Sequence, residues 1–230
     1  MDVILIPGLW LDASSWAPIA DALTAAGHRP RALTLPGTGE PADRTADIGM
    51  TRWVAAVVAE IDRADGPVVL VGHSGGGNVA WGAADARPDH VARVVFVDTA
   101  PPAPGASISE FPTEGGAVPF PGWAFFDEPD VADLDDATRE RTAAFMKGVP
   151  ARVPAEPLAL RDARRFRVPV TLLMGERDEA ALRAELENWG AFREEFEAID
   201  DAEVVRIGSG HWPQFSQPER LAELLLAAIR

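Results

Sequence analysis

Residues 70–79 read Leu70-Val71-Gly72-His73-Ser74-Gly75-Gly76-Gly77-Asn78-Val79, and within them Gly72–Gly76 fits the pattern G-x-S-x-G. The apolar run Pro67–Val71 leads into this pattern and a small-residue helical stretch leaves it. The serine therefore falls on a strand-turn-helix junction, the setting in which such a serine acts as a nucleophile. On that turn the backbone is strained and the hydroxyl stands out above the sheet. Glycines flank it because side chains there would collide with the neighbouring strand or helix. A phosphate-binding loop would need a Lys-Ser/Thr pair after the glycines, and none follows.

Working outward from Ser74, six β-rich runs emerge: Val3–Ile6, Arg31–Leu35, Val68–Val71, Arg93–Val97, Val168–Met174 and Glu203–Ile207. Most are continuously apolar, the mark of strands buried on both faces of a parallel sheet. Helical stripes lie between them. Trp16, Ile19, Ala20 and Leu23 follow two candidate caps, Ser14 and Ser15. Trp53, Val54, Val57, Val58 and Ile61 are stopped by Gly66-Pro67. Leu182, Leu186, Trp189, Phe192 and Phe196 read as one further stripe. The last, with Leu221, Leu224, Leu225 and Ala228, opens on a capping-box pattern at Ser216–Glu219. The alternation predicts an α/β fold, doubly wound around a mostly parallel sheet, in one domain spanning 1–230.

Residues 101–165 break the alternation. They hold ten of the twenty prolines, together with Phe111, Phe120, Trp123, Phe125 and Phe126, and only one short helix, around Thr138–Lys147, can be read there. A Pro- and aromatic-rich insertion after a strand end is expected to be a lid.

Composition narrows the chemistry. A chain of 230 residues, 47% of them hydrophobic, can bury a sizeable core. It has no cysteine, which removes disulfides, thiolate metal sites and a cysteine nucleophile. A formal charge of −15 argues against a nucleic-acid partner. No apolar run approaches the length of a membrane span, and Met1 leads directly into Val3–Ile6 without the flanks of a signal peptide. These features predict a cytoplasmic protein. No His, Asp and Glu cluster has metal-ligand spacing, so no metal and no cofactor are expected. Oligomeric state is not legible.

A serine hydroxyl needs a base, and the base an acid to orient it. Ser209-Gly210-His211-Trp212, straight after the last predicted strand, supplies His211. His28 and His90 read as solvated loop residues and His73 as packing beside the nucleophile. Two aspartates compete for the third place. Asp178, in Gly175-Glu176-Arg177-Asp178 after the preceding strand, is favoured. Asp98, ending the strand Val94–Val97, is the alternative, with strand-end capping as its plainer role. The order Ser74, Asp178, His211 is that of an α/β-hydrolase arrangement, and each residue falls past the carboxyl end of a strand.

With these residues in view, the chain from Ile4 to its final helix resembles α/β-hydrolase fold proteins. It is similar to the small esterase branch that includes plant methyl-ester hydrolases and hydroxynitrile lyases. The resemblance implies that Pro7-Gly8-Leu9-Trp10 forms the oxyanion loop. Its donors would be the backbone N–H groups of Leu9 and Gly75, with Trp10 as a fallback. Many relatives carry His-Gly where this chain has Pro7-Gly8, which removes a side chain and an N–H. A substrate pocket is expected from Trp10, His73, Phe120, Trp123, Phe125 and Trp212. The implied activity is hydrolysis of a small, largely apolar carboxylic ester through an acyl-enzyme. Two alternatives stand beside it: a cofactor-independent lyase or oxygenase, for which Lys147 is the one candidate lysine in the insertion, and a non-catalytic small-ligand receptor.

Overall fold

Val3–Ile6 and Val68–Val71 offer no polar side chain to a solvated face, and the computed structural model, which describes residues 1–229, buries both. The strands are β1 (Asp2–Ile6), β2 (Arg29–Ala32), β3 (Val68–His73), β4 (Val91–Val97), β5 (Ala117–Val118), β6 (Val149–Pro150), β7 (Val170–Met174) and β8 (Ala202–Arg206). Six of them form one sheet in the order β2-β1-β3-β4-β7-β8, and every pairing is parallel. β5 and β6 pair antiparallel as a separate ribbon in the insertion.

The helices are α1 (Ala17–Ala25), α2 (Met50–Ile61), α3 (Gly75–Ala86), α4 (Glu128–Val131), α5 (Asp136–Ala143), α6 (Arg152–Ala155), α7 (Glu179–Leu186), α8 (Gly190–Glu197), α9 (Pro213–Ser216) and α10 (Pro218–Ala228). Alternate residues of each strand serve opposite layers, as the two-residue strand period requires. Val3, Leu5, Val69, Val71, Val95 and Val97 pack under α1 and α10, against Ile19, Leu23, Leu221 and Leu225. Ile4, Ile6, Leu70, Val94, Phe96 and Leu172 face the other layer, which α2 and α3 cover with Trp53, Val57, Val79 and Trp81. This is the expected doubly wound α/β arrangement, with a sheet whose pairings are all parallel between two helical layers.

Several local expectations shift. β2 lies two residues earlier than its apolar pattern predicts, because Asp2–Leu5 pairs with Arg29–Ala32 and Leu35 leaves the sheet for the core beside Trp53. The stripe Leu182–Phe196 is two helices, α7 and α8, broken at Trp189. Neither Ser14 nor Ser15 caps α1. Asp12 instead caps the short helical turn before it, accepting from the Ser14 N–H. α10 starts without a side-chain cap. The insertion holds β5, β6, α4 and α6 besides the one helix its sequence shows.

What matters for chemistry is the top edge of the sheet. From β1 the chain crosses one way to β2 and then returns to β3 on the other side of β1. The loops leaving β1 and β3 therefore diverge, opening a crevice at their carboxyl ends.

Candidate active site

Three non-glycine residues have positive φ, and each follows a neighbouring strand at that crevice: Trp10 (64°) after β1, Ser74 (51°) after β3 and Asp98 (46°) after β4. Backbone held this way costs of order 1–3 kcal/mol per residue and persists only where its surroundings over-determine it. At Ser74 the reason is visible. The elbow must turn from β3 into α3 at once, and glycines clear the way. A Cβ on Gly76 would lie 2.5 Å from the Pro7 carbonyl oxygen and 2.6 Å from that of Ile6. A Cβ on Gly72 would lie 2.5 Å from the Gly76 carbonyl oxygen.

The turn presents Ser74 Oγ to His211 Nε2 at 2.9 Å. On the far side of the ring, His211 Nδ1 lies 2.6 Å from Asp98 Oδ2. Asp98 Oδ1 accepts the Gly175 N–H at 2.7 Å, so both carboxylate oxygens are engaged. Burial works to raise the Asp98 carboxyl, but the His211 hydrogen bond, the His211 charge and the Gly175 N–H outweigh it. They hold that carboxyl below the ordinary aspartate value. The ring nitrogen facing Asp98 must carry the proton, which leaves Nε2 to accept from the serine hydroxyl.

Asp178 stands elsewhere. It is exposed, and its side chain caps α7 by accepting the Ala181 N–H at 2.9 Å. The expected acid is therefore replaced in position by Asp98. The reason lies one strand over: the Asp98 N–H continues the ladder onto the Leu173 carbonyl of β7, aiming its side chain at the His211 loop. The sequence offered only a hint that does not decide between them: Asp98 directly abuts the apolar run Val94–Val97. By contrast, Asp178 opens Glu179-Ala180-Ala181-Leu182 as a helix cap does.

The His211 main chain is gripped from two sides. His73 Nε2 lies 2.7 Å from the His211 carbonyl oxygen, and Gln214 Nε2 lies 3.1 Å from His73 Nδ1. A carbonyl only accepts, so His73 donates from Nε2 and receives the Gln214 amide at Nδ1. Burial above all, then the neighbouring His211, pushes His73 down to about 3, keeping it neutral. From the insertion, the Asp130 carbonyl accepts the His211 N–H at 2.8 Å, and Asp133 Oδ2 accepts the Gly210 N–H at 2.7 Å.

Leu9 lies against Gly75, its Cγ 3.3 Å from where a Gly75 Cβ would sit. Among the described residues neither the Leu9 N–H nor the Gly75 N–H, first in α3, has a protein acceptor. Both amides are thus free, and the Gly75 N–H sits at a helix N-terminus, where the dipole favours negative charge.

Two spaces meet at Ser74. A small chamber of about 130 Å³ is lined by Leu9, Trp10, His73, Ser74, Ile108, Phe111, Phe126, Asp130, His211 and Trp212. A wider cleft of about 480 Å³ is lined by Ser74, Gly75, Asn78, Thr99, Ala100, Ser107, Ile108, Trp189 and Phe192. Of the expected pocket residues, Trp10, His73 and Trp212 border the chamber. Phe120, Trp123 and Phe125 do not. Phe120 packs edge-on against Trp10 and Trp123 edge-on against Trp212, with centroids 5.9 and 4.9 Å apart, as a supporting layer. Phe125 turns outward and is half exposed. The lining that sequence reasoning missed (Ile108, Asp130, Trp189 and Phe192 among it) sits on irregular or helical segments whose tertiary position no local pattern encodes.

The Alpha/beta hydrolase family model matches residues 3–224. The rice esterase PIR7B (Oryza sativa subsp. japonica) is 38% identical over 119 residues, 48% of this chain and 42% of that protein. The chain thus spans less than half the length of that relative where the two match. A pyrethroid hydrolase from Sphingobium wenxiniae is 26% identical across 97% of this chain and 86% of its own. Among solved structures, an extracellular α/β-hydrolase from a Paenibacillus species superimposes with a TM-score of 0.78 at 22% identity. It covers 99% of this chain and 98% of its own. Since the family model spans nearly the whole sequence and the sheet order and crevice agree with it, the chain belongs to the alpha/beta hydrolase family.

Proposed function

We propose that this protein hydrolyses a small, largely apolar carboxylic ester through Ser74, with His211 as base and Asp98 as its orienting acid. The observation that carries the reading is the unbroken relay from Ser74 Oγ to His211 Nε2 at 2.9 Å and from His211 Nδ1 to Asp98 Oδ2 at 2.6 Å. Ser74 attacks the ester carbonyl while His211 takes its proton, and Asp98 stabilises the imidazolium that results. The oxyanion falls to the Leu9 and Gly75 amides, a contribution of roughly 3–4 kcal/mol per donor. His211 then protonates the leaving alcohol, and water repeats the sequence on the acyl-enzyme. In that second half, the attacking water gives its proton to His211, which returns it to Ser74 Oγ as the acid leaves. Relatives described as an esterase and a pyrethroid hydrolase support the ester class.

The lyase alternative rests on Lys147. That side chain packs its Cδ over Gly39, 3.2 Å from a Cβ there, and does not border either space at Ser74. The receptor alternative predicts binding without turnover. Hydrolysis of a graded series of p-nitrophenyl esters tests the proposal. Turnover that disappears in Ser74→Ala supports it, and absence of turnover with every ester overturns it.

A further inference from the structure

The chamber beside Ser74 has walls of an unusual kind for a plain apolar pocket. Four aromatic side chains, Trp10, Phe111, Phe126 and Trp212, border it, and so does the carboxyl-bearing Asp130. The rings stand edge to face: Trp10 meets Phe111 and Phe126 at centroid distances of 5.1 and 5.8 Å, and Phe126 meets Trp212 at 4.7 Å. Among the described residues the Asp130 carboxylate has no hydrogen-bond donor and no ion-pair partner. The charged neighbours are otherwise occupied, Asp98 by His211 and Arg177 by Glu185. Burial, with the charges of Asp98 and Asp127, pushes the Asp130 carboxyl up against the opposing pull of His211 and Arg177.

Resting on the ester-hydrolase reading, we infer that this chamber takes a compact ammonium head carried on the alcohol side of the ester. The side follows from proton delivery. His211 must reach the leaving oxygen, and His211 borders the chamber but not the wider cleft, which is left for the acyl group. The size follows from volume. An apolar cavity of about 150 Å³ holds a benzene ring, so 130 Å³ admits a head of similar bulk. The charge follows from the composition of the walls, because four aromatic side chains with a carboxylate residue beside them favour a cation with an apolar surface. Asp130, half-buried and without a direct ion-pair partner among the described residues, adds negative charge at the chamber's edge that a neutral head of the same shape would not use. The chain's formal charge of −15 draws the same class of substrate toward the molecule.

Two esters of one shape test this: butyrylcholine and 3,3-dimethylbutyl butyrate, in which carbon replaces the ammonium nitrogen. The expected result is a kcat/KM about tenfold higher for the cation, of the size a desolvated cation–π site supplies. Asp130→Asn and Phe126→Leu should each bring the ratio toward one. Because the ratio is taken within each variant, a general loss of activity cancels. Tetramethylammonium should also compete with p-nitrophenyl butyrate in the unmodified protein. Equal or faster turnover of the neutral isostere, without tetramethylammonium inhibition, overturns the cation site and leaves ester hydrolysis standing. Failure to turn over any ester overturns the function itself.

Discussion

Asp98 Oδ2 and His211 Nδ1 are 2.6 Å apart, while the exposed Asp178 spends its carboxylate on the first turn of α7. The two aspartates therefore separate cleanly by experiment. Asp98→Asn should lower kcat on a p-nitrophenyl ester by about 10⁴-fold, since an amide cannot hold the required imidazole tautomer. Asp178→Asn should leave kcat near that of the unmodified protein, because asparagine caps a helix as well as aspartate does. The reverse pattern would return the acid to Asp178.

Why Ser74 and His211 are legible in the chain and Asp98 is second choice is a matter of range. The elbow is a local object: Gly72, Ser74 and Gly76 must be spaced as they are for the turn to exist, so sequence alone carries it. Asp98 and Asp178 both follow apolar strands, and choosing between them needs the distance from each to the His211 loop. That distance comes from the order β4-β7-β8 and from the φ of 46° at Asp98, neither of which a one-dimensional pattern contains. The chamber is less legible still. Asp130 and Phe126 reach it from a segment whose local sequence specifies only short turns.

His73 ties stability to pH. Its buried imidazole is held down to about 3, whereas an unfolded histidine takes a proton near 6.5. Between those values the unfolded chain binds more protons than the folded one, so stability is full above pH 6.5 and falls as pH drops toward 3. The slope is about 1.4 kcal/mol per pH unit for one group. Urea unfolding at pH 6.5 and pH 5 should thus differ by about 1.6 kcal/mol more in the unmodified protein than in His73→Gln, the slope being half its full value at pH 6.5. An unchanged difference would show that His73 is protonated in the folded chain.

The elbow tolerates no added methyl. In Gly76→Ala the new carbon would meet two main-chain carbonyls of the β1 loop, which have no side-chain freedom with which to yield. The loop must move, at a cost of about 1–3 kcal/mol, and Leu9 moves with it. A fall in Tm together with a fall in kcat larger than the change in KM is the expected outcome. A lowered Tm with unchanged kcat would separate the loop from oxyanion stabilisation.

A second region ties stability to buried charge. Arg165, Asp85 and Glu195 are all buried. The Arg165 fork reaches Glu195 at 2.7 and 2.9 Å and Asp85 at 3.2 Å, and the Trp81 indole N–H completes Glu195 at 2.7 Å. Arg165→Met fills similar space but removes the cation from two buried carboxylates, leaving Asp85 to the Arg161 and Asp162 amides and Glu195 to the Trp81 indole, and it should destabilise by about 3–5 kcal/mol in chemical unfolding. If Arg165→Met instead left the unfolding midpoint unchanged, the network would be contributing no net stability.

The insertion does more to the site than cover it. The His211 loop has no regular structure of its own, and its amides are held by Asp130 and Asp133, while its carbonyl is held by His73 from the opposite side. Asp133 thus acts through His211 rather than on substrate. Asp133→Ala frees the Gly210 N–H and lets the imidazole wander from Ser74. Misplacement on that scale costs roughly ten- to hundredfold in kcat, with KM little changed. Asp133→Asn keeps an oxygen that accepts the same N–H, and it should recover most of the loss. A merely structural aspartate would lower Tm in both variants and kcat, per folded molecule, in neither. Measuring kcat, KM and Tm on the two variants side by side distinguishes these cases, because only a positioning role makes kcat follow the acceptor rather than the charge.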